Sequence, residues 1–184
     1  MSVAVIVPWR STPDRLAAWR FLEPLWRHEY PEWTLATCDA AGEWRKGAAV
    51  AAGVAESDAD VLVIADADVW CSGIDKAAAA VQGTWAWAVP HARTLRLNRD
   101  ASGRVVDGDG MLASLPLDRR PHRAVAGGGL VVMRRDVFEA CPMPVMGRRE
   151  DEVWQTQLYP KFGRPWRGTA DLFHLWHEEV GHGG

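Results

Sequence analysis

Short apolar runs alternate with amphipathic stretches along the first half of this chain. Val3 to Val7 is unbroken apolar sequence ended by Pro8. Thr12-Pro13 then offers an N-cap and a first-turn proline, and Leu16, Trp19, Leu22 and Leu25 recur at helical spacing. Trp33 to Thr37 reads as a second strand, closed by Asp39. Lys46 to Glu56 is alanine-rich with Val50 and Val54 four apart, which predicts a helix with a narrow apolar face. The run from Val61 to Ala65 reads as a buried central strand, followed by a helix near Ile74 to Val81 and a strand at Trp85 to Val89. This strand–helix rhythm predicts an α/β fold with parallel strands joined by right-handed crossovers.

The rhythm dissolves between His91 and Arg123 into Arg, Asp, Gly and Pro, which reads as a lid, a binding loop or simple disorder. A short hairpin around Asp100-Ala101-Ser102-Gly103 is one local option. Beyond it Gly127-Gly128-Gly129 leads into the strand Leu130 to Met133, and Arg134-Arg135-Asp136 starts another helix. Three glycines allow close approach of a ligand or another backbone, or a flexible bend. A last helix follows Gly147-Arg148-Arg149-Glu150-Asp151-Glu152, with Val153, Trp154 and Leu158 at helical spacing. The segment Leu172 to His177 is strand-like; on an extended chain His174 and His177 would face opposite sides, so one of them joins any site there unless the chain turns.

Chemistry enters where the third strand ends. Val61-Leu62-Val63-Ile64-Ala65 runs straight into Asp66-Ala67-Asp68. Side chains two apart on an extended chain point the same way, and two like charges that close repel unless a proton or a cation lies between them. Hard divalent cations, Mn2+ or Mg2+, suit such oxygen ligands. An acidic turn capping the next helix is the other reading. In parallel sheets ligands sit beyond the carboxyl ends of the strands. Pro8-Trp9-Arg10, Asp39 and Asp66-Ala67-Asp68 all fall at such ends, and that convergence favours a binding site. The acids Glu150, Asp151 and Glu152 suit the first turn of a helix, and they also offer a general base if they face the cleft.

Composition narrows the partners. The chain has 184 residues, 48% hydrophobic, enough for one domain with a sizeable core. A net charge of −3 gives no electrostatic case for a nucleic-acid or membrane-surface partner. Cys38, Cys71 and Cys141 are odd in number and widely spaced, fitting neither a zinc pattern nor a disulfide framework, so reduced thiols and a cytoplasmic location are expected. Neither a signal peptide nor a membrane span is expected from the N-terminal residues. Most of the eleven tryptophans are expected in the core, with a few free to stack on a base or a sugar ring.

These motifs, in this order, resemble the nucleotide-sugar glycosyltransferases of the GT-A fold. The resemblance is to the family 2 group, with C-terminal motifs like those of galactosyltransferase and polypeptide N-acetylgalactosaminyltransferase relatives. VAVIVPWR looks like the opening strand and nucleoside-contacting loop, and Asp39 stands where the family binds the base. EWRKGAAVAAG is similar to the segment carrying a basic residue beside an alanine-rich helix, and VLVIADADVW looks like the strand with its D-x-D motif. AGGGLVVMRRDVF resembles the acceptor-side strand, GRREDEVW the E-D motif, and HLWHE the late histidine of the metal shell.

The resemblance implies a Rossmann-like, mostly parallel sheet flanked by helices in a single domain over 1–184. Within it, 1–90 would be the nucleotide half, 91–123 a loop or lid, and 124–184 the acceptor and catalytic half. It implies transfer of a sugar from a nucleotide-sugar donor, a UDP-sugar, to an acceptor hydroxyl, with inversion. The implied donor contacts are Pro8, Arg10, Asp39, Lys46, Asp66 and Asp68, and the metal ligands Asp68 and Asp66 with His177 or His174. Asp151 is the implied base, beside Glu150, and Gly128, Gly129 and Trp154 lie on the acceptor side. An ordinary Asp151 pKa would leave it ionised at neutral pH. The relatives usually carry glycine and tryptophan before E-D, where this chain has Arg148 and Arg149, which hints at an anionic or polar acceptor. The rival readings are a noncatalytic nucleotide-sugar-binding protein, a sugar-phosphate nucleotidyltransferase, and a metallohydrolase built on His174, His177 and Glu178. The nucleotidyltransferase usually shows an arginine- and glycine-rich N-terminal loop that this chain does not have.

Overall fold

Alternate residues of each central strand feed two separate cores, which is why those strands are apolar throughout. In β1 (Val3–Pro8), Val3, Val5 and Val7 pack on one face of the sheet while Ala4 and Ile6 pack on the other. β3 (Val61–Ala65) divides the same way, with Val61, Val63 and Ala65 opposed to Leu62 and Ile64. The computed structural model describes residues 1–108, 116–118, 120–123, 129–147 and 149–178.

Helix α1 (Pro13–Glu29) starts as expected, with the Thr12 hydroxyl accepting from the Arg15 amide at 3.4 Å, and it buries Ala18, Trp19, Leu22 and Trp26 on the first core. β2 (Thr34–Cys38), α2 (Lys46–Ala55), β4 (Val69–Cys71) and α3 (Ile74–Gln82) follow. Then come β5 (Trp87–Arg96), α4 (Arg99–Val106), the two-residue β6 (His122–Arg123), β7 (Leu130–Arg134), α5 (Arg135–Ala140), α6 (Glu150–Phe162) and β8 (Trp166–His174).

The sheet order is β2-β1-β3-β7-β5-β8-β4, with β6 beside β5. The parallel expectation holds for β2-β1-β3 and for the β5–β8 pair. β7 runs antiparallel between β3 and β5, and β4 antiparallel to β8, so the whole sheet is mixed.

The start of the expected loop at 91–123 is regular structure instead. β5 continues to Arg96, because His91 and Thr94 are buried between β8 and β6. The residues offered as a hairpin lie in α4, whose N-cap Asn98 accepts from the Ala101 amide at 2.8 Å. Charged positions at Arg93, Arg96 and Arg99 hide both elements from a hydrophobicity pattern. Among the described residues, no helix is long and apolar enough to cross a membrane.

Candidate functional site

Three strand ends and two helix N-termini meet at the carboxyl edge of β2-β1-β3. β3 stops at Ala65, and the chain turns through Asp66 and Ala67, with the Val69 amide donating back to the Asp66 carbonyl at 3.4 Å. The Asp66 amide is held by the Gly129 carbonyl at 2.8 Å. Asp66 and Asp68 therefore do not share one extended strand, and they meet different partners. Asp66 is partly exposed and lies 2.7 Å from Lys46 Nζ. Asp68 is 2% exposed.

The group gathered around Asp68 contains both histidines. His177 Nε2 lies 3.3 Å from one Asp68 oxygen and His174 Nε2 3.8 Å from the other. Both histidines reach Asp68 without a turn, because β8 ends at His174 and the residues after it leave strand geometry. Pairing of β4 with β8 sets His174 opposite Val69, and the Leu175 amide donates to the Asp68 carbonyl at 2.8 Å. The Trp176 amide then donates to Ser102 Oγ at 2.7 Å and the Glu178 amide to Asp14 at 3.3 Å, which holds the segment carrying His177 beside Asp68.

The charge state of this group suits a cation. Burial alone would raise the Asp68 carboxyl, but His174, His177, Arg15 and Lys46 outweigh it and hold it below its ordinary range. Burial lowers His174 and keeps its imidazole neutral, with Asp68 opposing and Arg96 assisting. Oδ1 of Asp68 is buried with no hydrogen-bond partner. Such an atom is costly unless something positive meets it. Among the described residues, Asp68, His174 and His177 offer ligand atoms all within 4.8 Å of one another, and Asp66 is not one of that group. One carboxylate and two imidazoles suit Mn2+ better than Mg2+, which prefers oxygen ligands.

The second cluster is built on Lys46, the first residue of α2. Its Nζ lies 2.7 Å from Asp66 and 3.1 Å from Asp151, the second residue of α6. A lysine at a helix N-terminus opposes the macrodipole, so its position there is explained by the two carboxylates and not by the helix. Their charges raise its pKa against the opposing effect of burial. Gly47 brings the helix in: a Cβ there would collide with the Pro144 carbonyl oxygen.

Burial pushes Asp151 up to about 6, with Lys46 lowering it and Asp66 and Glu150 raising it, so the expected ordinary carboxyl pKa is corrected. Arg149, at φ 60 in the left-handed region, precedes the helix, and its side chain pairs with Glu152. The three consecutive acids are thereby sorted: Asp151 turns inward to Lys46, and Glu152 turns to solvent.

The remaining expected residues fall elsewhere. Arg10 and Asp39 hold each other at the rim, at 2.8 and 3.0 Å, and Arg10 also donates to the Gly42 carbonyl at 2.9 Å and the Ala40 carbonyl at 2.6 Å. Pro8 is buried at the end of β1. Trp154 is corrected from an acceptor contact to a core residue: it is fully buried, donates to the Cys141 carbonyl at 2.7 Å and packs edge-on against Phe138. Gly129 serves packing, since at φ +84 it lies close to Leu172 and Val69. Gly128 and Arg148 lie outside the described residues.

Two arginines were not singled out from sequence. Arg15 Nε lies 3.8 Å from Asp68, and Arg96 lines a cavity of about 290 Å3 with His174, Trp176 and His177. Each keeps a buried Nε–H without an acceptor. Arg15 sits one turn into α1 beside its N-cap, and Arg96 ends β5. Nothing in their sequence neighbourhoods sets them apart from the other arginines; their buried Nε–H groups beside Asp68 and the histidines do.

No protein-family model matches the chain, and no curated protein is similar to it in sequence. Solved structures are similar in shape. The glucosyl-3-phosphoglycerate synthase of Mycobacterium tuberculosis matches with a TM-score of 0.53 at 11% identity, over 98% of this chain and 74% of that one. Its complex with Mn2+, UDP-glucose and phosphoglyceric acid matches at 0.52 and 11%, over 98% and 73%. The complex with Mn2+, UDP and glucosyl-3-phosphoglycerate matches at 0.51 and 10%, over 97% and 72%. At such identity the likeness establishes the fold alone, and that fold is the GT-A glycosyltransferase fold.

Proposed function

We propose that this chain is a metal-dependent glycosyltransferase that moves a sugar from a nucleotide-sugar donor, a UDP-sugar, to an acceptor hydroxyl with inversion. The observation that carries this reading is the buried Asp68–His174–His177 group, with its unpartnered carboxylate oxygen, at the ligand edge of a GT-A sheet. The structurally similar synthase was crystallised with Mn2+, UDP-glucose and an anionic acceptor, which supports the same donor class here.

Asp68, His174 and His177 would hold the cation, their two nitrogens suiting Mn2+ better than Mg2+. A divalent ion bound there supplies positive charge to the departing diphosphate. Arg15 and Arg96, with Nε–H groups that lack acceptors, are suited to donate to phosphate oxygens. Arg10 and Asp39 frame the rim where the base would lie, and the aspartate would exchange part of its pairing with Arg10 for a base edge. On the acceptor side Asp151 takes the proton of the attacking hydroxyl, with Lys46 holding the carboxylate ionised and aimed. The new bond forms at the anomeric carbon as the bond to the diphosphate breaks, which inverts that centre. GRREDEVW and HLWHE would then serve as the E-D motif and the late metal histidine.

Thermal unfolding with UDP, GDP or TDP, each with Mn2+ or with chelator, tests the donor site. Stabilisation by UDP that requires Mn2+ is expected, as ligand binding to the folded state raises its stability. A UDP shift indifferent to chelator would end the metal assignment. Release of UDP from UDP-sugars on addition of acceptor candidates tests the transfer itself.

A further inference from the structure

A second cavity, of about 580 Å3, opens between the C-terminal end of α1 and the β4–α3 junction. On α1 its lining begins at Leu25, about 15 Å by helix rise from Arg15, while on β4 it is lined by Trp70, two residues beyond Asp68. Its wall is aromatic. Tyr30 and Trp33 stack at 4.1 Å with ring planes 10° apart, and Trp70 lies 6.2 Å from Tyr30. Buried Trp26 backs this wall, meeting Trp70 edge-on at 5.0 Å and Tyr30 at 5.7 Å, so the rings are fixed before any ligand arrives.

Three carboxylates complete the lining: Glu29, Glu32 and Asp75. All three are exposed, and among the described residues no lysine, arginine or histidine lines the cavity with them. Their field reaches the wall: the Tyr30 hydroxyl is pushed up to about 12, by burial first and then by the charges of Asp75 and Glu29. Several acids elsewhere on this chain, Glu23, Asp39, Asp136 and Asp171, are met by arginine.

We propose that this cavity binds an organic cation, an alkylammonium group seated on the Tyr30, Trp33 and Trp70 rings and neutralised by Glu29, Glu32 and Asp75. Ring faces attract cations through their quadrupole, and the attraction grows as the cation is desolvated against them. The volume suits a small ligand. A neutral sugar would also use the rings, but it would draw no attraction from the negative charge of the three carboxylates. The site is independent of the transfer chemistry and stands or falls apart from it.

The test uses the full chain with choline, with its neutral isostere 3,3-dimethylbutan-1-ol, and with the neutral disaccharide cellobiose. Binding is followed by calorimetry and tryptophan fluorescence. Choline is expected to bind saturably, and the isostere at least about tenfold more weakly. The exposed double substitution Glu29→Gln with Glu32→Gln should weaken choline by about threefold or more, and added salt should act in the same direction. Equal binding of the isostere, tighter binding of cellobiose, a double variant that binds choline like the parent, or no saturation below about 10 mM would each overturn the proposal.

Discussion

Two acidic clusters share the ligand edge of the sheet, and they differ in where their positive charge comes from. At Asp66 and Asp151 the chain supplies its own cation, since Lys46 lies within 3.1 Å of both. At Asp68 the chain's own cation, Arg15, stands farther off. Two imidazoles and a guanidinium 3.8 Å away surround the carboxylate, and one of its oxygens has no hydrogen bond. The first cluster is complete as folded, which suits a group that must be held and aimed. The second leaves a buried carboxylate oxygen without a hydrogen bond, which under the proposed function a cation would meet.

The largest effect expected from breaking this contrast lies in the reaction. Asp151→Asn should slow transfer by about 10²–10⁴-fold, the usual contribution of a general base, while Mn2+-dependent stabilisation by UDP persists. Equal transfer rates would remove Asp151 from the mechanism.

Asp68→Asn should do the reverse. It should abolish the metal-dependent stabilisation, about 2.7 kcal/mol at ligand one hundred times its Kd, as read by thermal unfolding.

Lys46→Met turns the self-sufficient cluster into two facing carboxylates and should cost roughly 2–3 kcal/mol in denaturant unfolding, below the range for fully buried pairs. Mn2+ binding at Asp68 should survive it.

The pH dependence is a smaller and sharper test. Asp151 at about 6 predicts an acid limb of kcat/KM near that pH, and loss of Lys46 should move the limb upward. For stability the sign is opposite to that of an ordinary paired carboxylate. A carboxyl raised from 3.8 to about 6 binds its proton more tightly in the folded state. Its contribution therefore falls as pH rises through that window and is constant on either side. The smallest effect is expected at the rim, where Asp39→Asn should leave the melting temperature unchanged because the pair with Arg10 is exposed.

The elements that carry this site were legible in the residues to different degrees. The strands ending at Pro8, Cys38 and Ala65 and the helices following Thr12 and Arg45 stand within a residue or two of their expected bounds. Their patterns are local, and buried central strands leave no polar positions to confuse the reading. β5 beyond Val89 and α4 were hidden because their exposed faces are arginine and aspartate and their buried faces include His91 and Ser102. Trp154 was misjudged for a related reason: a tryptophan beside an acidic pair looks the same in a list of residues whether it faces a cleft or the core.

The sequence alone determined that a parallel β-α-β unit would end in acids, because hydrophobic period and chain order are local properties. Which of those acids would be buried, and which would meet a lysine, only the tertiary structure decided. That choice depends on the β4–β8 register that sets His174 opposite Val69, on the hydrogen bonds to Ser102 and Asp14 that hold the segment of His177, and on Gly47 admitting α2 against Pro144. Each is a contact between segments far apart in the chain, and its energy depends on a geometry that no stretch of neighbouring residues can specify.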